Sequence, residues 1–142
     1  MAEAKTTTGV RCVITTPEST VLDTRATFVS LPLFDGARGV GHGHAPFIGR
    51  LGAGEVRITG ADGSGGAVRR AFVEGGFVEV GQDVVTIITQ RSIPGEKLDA
   101  AAARADLEKL RTQPARGDEA IAARMRAEET ARSLVRAAGR RD

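Results

Sequence analysis

From Val10 to Gln90 apolar residues recur at alternate positions in short runs, and Gly, Pro, Asp and Ser break those runs. A period of two marks a strand with one buried face, because successive side chains point to opposite sides. Val10, Cys12 and Ile14 form one such set, with Arg11, Val13 and Thr15 between them. Pro17-Glu18-Ser19 is a turn, and Val21 to Leu33 reads as one or two strands with Phe28 on an inner face. Phe34 to Gly39 is rich in turn formers and reads as a hairpin tip. Gly39 to Ile58 then opens on alternating glycines, crosses Ala45-Pro46 and regains strand alternation at Val56 and Ile58, so it reads as a shaped connection between strands. Glu55 to Thr59 and Ala67 to Glu74 flank Gly60 to Gly66, a long hairpin loop. Phe77 to Val80 and Val84 to Thr89 flank Gly81-Gln82-Asp83, a tighter hairpin in which Gly81 offers a positive φ. Many short strands at this spacing predict an antiparallel β-sandwich or flattened barrel.

The period changes at Ser92-Ile93-Pro94-Gly95-Glu96. Beyond it alanine, arginine and glutamate dominate, and apolar positions recur at helical spacing. Leu98-Asp99 leads into a helix ending near Thr112, with Ala100, Ala103, Leu107 and Leu110 on one stripe. Gln113 to Gly117 breaks it, and Asp118 caps a second helix from Glu119 to about Ala138, striped by Ala120, Ala123, Ala127, Ala131, Leu134 and Ala138. A five-residue connection folds two helices back as an antiparallel hairpin. The expected organisation is a β-sandwich domain over 1–92 and a helical hairpin over 93–142.

Side-chain size gives the hairpin its character. An alanine stripe lets helices approach closely but buries little area, since each missing CH2 forfeits about 0.8 kcal/mol. Alanine is also the best helix former, so each helix holds its shape with little help from a partner. Weak lateral packing with strong local helicity predicts an arm that undocks without melting.

Composition narrows the chemistry. The 142 residues carry a formal charge of only +2, with no Trp, no Tyr and five Phe. That is thin support for a base-stacking platform. Met1 to Gly9 is polar and does not resemble a signal peptide, and no apolar run reaches the length of a membrane span. Cys12 is the only cysteine, so neither an internal disulfide nor a cysteine metal cluster can form. His42 and His44 face one side of an extended chain, yet no neighbouring ligands complete a metal set. Gly-x-Gly-x-x-Gly, Walker and Gly-x-Ser-x-Gly motifs are absent. The chain therefore reads as non-catalytic, without a metal or other cofactor. Its strongest interaction candidates are arginines of the second helix, Arg124, Arg126, Arg132, Arg136, Arg140 and Arg141, set against Glu119, Glu128, Glu129 and Asp142. Some are expected to pair within the helix, as Glu128 with Arg132 at i,i+4.

Three segments in series carry a family resemblance: Gly43-His44-Ala45-Pro46, Gly54-Glu55-Val56-Arg57-Ile58 and Gly75-Gly76-Phe77-Val78-Glu79-Val80. In order and spacing the chain resembles the epsilon subunit of F-type ATP synthases from about Val10 to Ser92, and more loosely through the helices. The resemblance implies a non-catalytic central-stalk rotor subunit. It would link the gamma subunit to the c-ring, support proton-driven ATP synthesis, and restrain ATP hydrolysis through its C-terminal helices. Carried onto this sequence, rotor contacts fall to Asp35, Arg38, Gly39, Gly43, His44, Ala45 and Pro46, and to one outer sheet face. Contacts inhibiting a beta subunit fall to Arg124, Arg126, Arg132 and Arg136. The implied location is the cytoplasmic face of the bacterial cell membrane, peripheral and only as part of the complex, without nucleic acid.

This sequence departs from the family pattern at three places. His42 stands where the family often has proline, and Ala37-Arg38 where it often has an acid and an apolar residue. Some members bind ATP through Ile/Leu-Asp-x-x-Arg-Ala; here Leu98-Asp99 fits but Ala102 replaces the arginine. Arg104, five residues past Asp99, lies about 140° round the helix at about 100° per residue. Leu98, Asp99 and Arg104 therefore make a poor nucleotide site. A rival reading is a small RNA-binding module using the Arg-rich second helix, whose affinity would fall steeply with salt. A second is a small enzyme relying on His44.

Overall fold

The computed structural model describes residues 9–61 and 68–139. Eight strands follow in order: β1 Val10–Thr15, β2 Thr20–Ala26, β3 Phe28–Leu33, β4 Gly36–Gly41, β5 Phe47–Thr59, β6 Val68–Gly81, β7 Val84–Ile88 and β8 Ser92–Pro94. They form one sheet in the order β2-β1-β7-β6-β5-β3-β4, with β8 paired to β6. All pairings are antiparallel except β1 with β7.

Two long strands turn this sheet into a sandwich. β5 and β6 run 13 and 14 residues and pair almost throughout. Their first and last halves belong to different layers: Phe47–Leu51 and Phe77–Gly81 lie with β7, β1 and β2, while Ala53–Thr59 and Val68–Glu74 lie with β3, β4 and β8. The crossing on β6 is at Gly75 and Gly76, with φ of 77° and 109°. These are left-handed values that glycine adopts without a Cβ penalty. At Gly76 a Cβ would lie 2.0 Å from the carbonyl oxygen of Ile88. The core between the layers gathers Val10, Cys12 and Ile14 of β1, Val29 and Leu31 of β3, Val56 and Ile58 of β5, and Val78, Val85 and Ile87 beyond.

Several local expectations change. The glycines at 75–76 bend one strand rather than separate two. Gly39–Ile58 is not a single connection: Gly39–Gly41 ends β4, Phe47 already begins β5, and only 42–46 is loop. The hairpin tip shrinks to Phe34–Asp35, because Gly36–Gly39 pairs with β3. Phe28 is 45 % exposed instead of inward. Thr27 separates β2 from β3, so the inward set becomes Val29 and Leu31, while the Phe28 ring covers Gly39. At the β6–β7 turn the positive φ falls on Gln82 and Asp83, at 52° and 61°, rather than on Gly81. A two-residue turn with both central residues left-handed matches strand twist, and Asp tolerates that region. Most of the 60–66 loop lies outside the described residues.

A 3₁₀ turn at Gly95–Lys97 leads to α1 Ala100–Thr112 and α2 Asp118–Gly139. Asp99 caps α1, its Oδ1 accepting from the N–H of Ala101 and Ala102 at 3.0 and 3.2 Å. The helices pack on each other, and α2 lies on β5 and β6. Only the C-terminal half of α2 is well covered: Ala131, Ser133, Ala137 and Ala138 are buried, whereas Ala120 and Ala123 are exposed. Its contact with the sheet is a second cluster, where Ala137, Ala138 and the half-buried Leu134 meet Phe72, Leu98 and Ile93. Among the described residues no helix is long and apolar enough to cross a membrane.

Candidate functional site

Two surfaces stand out, one on each side of the sandwich. The first lies at the end where the β3–β4 tip meets the start of β5. The N–H of Phe34 donates to the carbonyl of Arg50 at 2.7 Å, tying the tip to β5. The Arg50 guanidinium lies 4.5 Å over the Phe34 ring, and that of Arg38 lies 4.8 Å over Phe47. A planar cation against the negative face of a ring is held in orientation without losing its charge. His44 stacks tilted on Phe47 at 5.3 Å, and its Nδ1 lies 2.7 Å from the carbonyl of Ala45.

The loop before β5 is anchored by one carboxylate. Asp83 Oδ1 accepts from the N–H of Gly43 at 2.7 Å, and Oδ2 lies 2.9 Å from Nδ1 of His42. The Asp83 carbonyl also accepts from the N–H of Arg11 at 2.8 Å. The left-handed turn at Gln82–Asp83 aims both Asp83 groups at these partners. His42 and His44 thus diverge, one to Asp83 and one to Phe47, instead of sharing a ligand position.

Among the residues expected at this end, Arg38 and His44 pack against Phe47, Asp35 lines the same groove, and Gly43, Ala45 and Pro46 form the adjoining loop. Gly39 sits apart, under Phe28. Sequence reasoning missed Phe34, Phe47, Ile48, Arg50 and Asp83. Phe34 and Ile48 are 67 % and 76 % exposed, and Phe77 and Ile88 are 57 % and 53 % exposed. Phe77 pairs directly with Ile88 and with Arg50 across the sheet. These side chains make one uncovered apolar belt on the layer that the helices leave bare. The signal was available: adjacent Phe47-Ile48 in a strand must send one side chain outward.

The second surface is the helical arm. Arg124 Nη1 donates to the carbonyl of Gln113 at 2.8 Å, and its Nε lies 3.3 Å from Glu128. Arg132 pairs with Glu128 at 3.1 Å, as the i,i+4 spacing predicts, and with Glu129 at 3.8 Å. Arg136 donates to Ser133 Oγ at 2.9 Å. Arg126 lines a cleft between arm and sheet that also holds Arg91, Glu74 and Asp106. In this docked arrangement three of the four expected arginines are held by the arm's own groups. Arg140, Arg141 and Asp142 lie outside the described residues. Under the arm, Glu55 is almost completely buried, with Arg70 Nε 3.7 Å away.

The nucleotide candidates do not converge. Asp99 spends a carboxylate oxygen on the α1 cap, Leu98 is buried against Phe72, and Arg104 is exposed. Burial pushes the Cys12 thiol up to about 12, which leaves it protonated and inert at neutral pH. On the open β1–β2 face the Arg11 guanidinium holds the Asp23 carboxyl below its ordinary value, chiefly by hydrogen bonding at 2.7–2.9 Å.

Comparison with known proteins gives this geometry a context. Residues 9–95 match the family described as the ATP synthase Delta/Epsilon chain, beta-sandwich domain. The chain is 50 % identical over 91 residues to the ATP synthase epsilon chain of Rhodopirellula baltica, covering 64 % of this chain and 68 % of that one. It is 37 % identical over 121 residues to that of Solibacter usitatus, covering 81 % and 87 %. A chain from the cryo-EM structure of the Euglena gracilis mitochondrial ATP synthase, OSCP/F1/c-ring, superposes with a TM-score of 0.77 at 22 % identity, over 91 % of this chain and 81 % of that one. A chain from the Tetrahymena thermophila mitochondrial ATP synthase central stalk and c-ring gives 0.64 at 17 % identity, over 91 % and 96 %. At that identity the two structures speak for the fold.

Proposed function

The chain belongs to the ATP synthase epsilon-chain family, and from that premise we propose that it is a non-catalytic rotor subunit of the central stalk, joining gamma to the c-ring. In this reading the sandwich, 1–92, is the attachment unit and the hairpin, 93–142, is a regulatory arm. The subunit sits at the cytoplasmic face of the membrane only as part of the complex. The bare belt of Ile48, Phe77 and Ile88, continuous with the Phe34 tip, supports attachment. Exposed apolar surface on one face and a helix-covered opposite face is the distribution expected of a subunit with an assigned docking side.

The observation that carries the regulatory half is how the arm is held. Its α2 contact with the sheet relies on Ala137, Ala138 and Leu134 against Phe72, and the N-terminal half of the helix makes no buried contact. Such a contact releases at modest cost, and the alanine-rich helices keep their shape when it does. Arg136 lines the cleft between α2 and the sheet, so release uncovers it, while Arg132 exchanges its partners Glu128 and Glu129 on the same helix and Arg124 follows once the loop at Gln113 opens. Those guanidiniums then reach carboxylates on a beta subunit and brake hydrolysis through charge-assisted pairs. Deleting 97–142 in the assembled enzyme leaves proton coupling intact and raises ATPase activity. An unchanged hydrolysis rate in that deletion would remove the brake from this reading.

A further inference from the structure

Resting on the brake reading above, we propose that Glu128 is an internal mask: it occupies arginines with which α2 would otherwise reach a partner's carboxylates, and so limits how strongly the arm engages. Glu128 lies four residues from Arg124 and four from Arg132, so all three share one side of the helix. Its two carboxylate oxygens are divided between them, Oε2 lying 3.3 Å from Arg124 Nε and Oε1 3.1 Å from Arg132 Nη2. The Glu128 side chain is only 14 % exposed, against 72 % for Glu129, whose pairing with Arg132 is longer at 3.8 Å. The far end of Arg124 is taken as well, because its Nη1 donates to the carbonyl of Gln113, the residue that ends α1. One acid thus ties the interhelical turn to the middle of α2.

An exposed ion pair is worth little, because water competes for both partners. Glu128 is shielded from most of that competition and holds two guanidiniums at once, so it is the acid on this helix that matters. The other two arginines of the set are placed differently. Arg136 rests on the Ser133 hydroxyl, and Arg126 lines the cleft beside Arg91, Glu74 and Asp106. A partner's carboxylate must displace Glu128 before it gains Arg124 or Arg132, and affinity is the surplus of the new contacts over those given up. The pairs with Glu128 lie within α2, so they travel with the helix and persist when the arm lifts from the sheet. The mask therefore acts on engagement and leaves docking alone.

The test uses the assembled synthase carrying full-length variants of this chain, with ATP hydrolysis as the readout and the 97–142 deletion as the unbraked reference. Glu128→Gln keeps the side-chain shape and removes its charge. Each helical pair shifts an equilibrium by roughly a factor of two, so losing two is expected to lower the residual hydrolysis rate about threefold to fivefold. Glu128→Asp keeps the charge, shortens the reach and acts in the same direction. Glu129→Gln changes the net charge equally one residue away, yet moves the rate by less than about 1.5-fold. With Arg124→Ala and Arg132→Ala both present, the effect of Glu128→Gln disappears, which a general change in helix charge would not produce. Thiol labelling at Ala138→Cys, a buried α2 position, stays within about twofold of the rate without the Glu128 change. Equal effects at 128 and 129, or an unchanged or weaker brake in both Glu128 variants, overturn the mask and leave the brake standing. Labelling that rises in step with inhibition overturns it in favour of control by release. A deletion that hydrolyses ATP no faster removes brake and mask together.

Discussion

Replacing Phe72 with alanine tests whether the arm is a separable element. Phe72 is fully buried, yet it belongs to the small cluster under α2 and not to the core between the layers. Its helix-side partners are mainly alanines, so the ring supplies most of the apolar area at that contact. Burying a Phe is worth about 1.5–3 kcal/mol, and leaving a cavity raises the loss for Phe→Ala to about 3–5 kcal/mol in a rigid core. The arm can settle or lift, so the lower end applies. A loss of about 3 kcal/mol shifts the docked-to-released ratio roughly a hundredfold.

The assay is thiol labelling at Ala138→Cys, a buried α2 position, because native Cys12 is too buried and too basic to react. Adding Phe72→Ala is expected to accelerate labelling about a hundredfold at neutral pH, in step with the opening equilibrium. The melting temperature of the sandwich falls only slightly. If labelling rises less than about threefold while the sandwich melts many degrees lower, Phe72 is holding the sandwich and the arm is not independently detachable.

Three further perturbations bear on the scaffold. Gly76→Ala puts a methyl into the Ile88 carbonyl at a left-handed φ, so it costs at least about 3 kcal/mol by chemical denaturation. Gly75→Ala meets nothing closer than 3.8 Å and costs only about 1–2 kcal/mol for the φ alone. Stability falls as pH rises above about 9 and on towards 12, because the unfolded thiol ionises there while the buried Cys12 does not. The slope is up to about 1.4 kcal/mol per pH unit, and Cys12→Ala removes it in urea titrations at successive pH values. Arg124→Ala releases the bond to the Gln113 carbonyl. It loosens the interhelical turn by about 0.5–1.5 kcal/mol, seen as faster amide exchange at 113–121 with the sandwich unchanged.

Much of the fold was legible because each signal was local. Alternation at Val10–Ile14, the helix start after Leu98-Asp99 and the break at Gln113–Gly117 act over a few residues. The helix stripe was legible only in part. Ala131 and Ala138 are buried as the period demands, but Ala120 and Ala123 are bare, because α2 outruns the sheet beneath it. Phe28 was misplaced for a similar reason: whether a strand's outer face is solvent or glycine depends on its neighbour, and that neighbour is Gly39.

The sequence alone determined two kinds of matter in this chain, strands and then alanine-rich helices, because periodicity and helix propensity are properties of short windows. It also carried the three spaced segments that mark the family. Only the tertiary structure decided that β5 and β6 pass through both layers, that Asp83 fastens the loop at Gly43, and that Arg38 and Arg50 stack beside one groove. These arrangements join residues far apart in the chain. Register and layer crossing set them through the summed packing of many side chains, which no local pattern encodes.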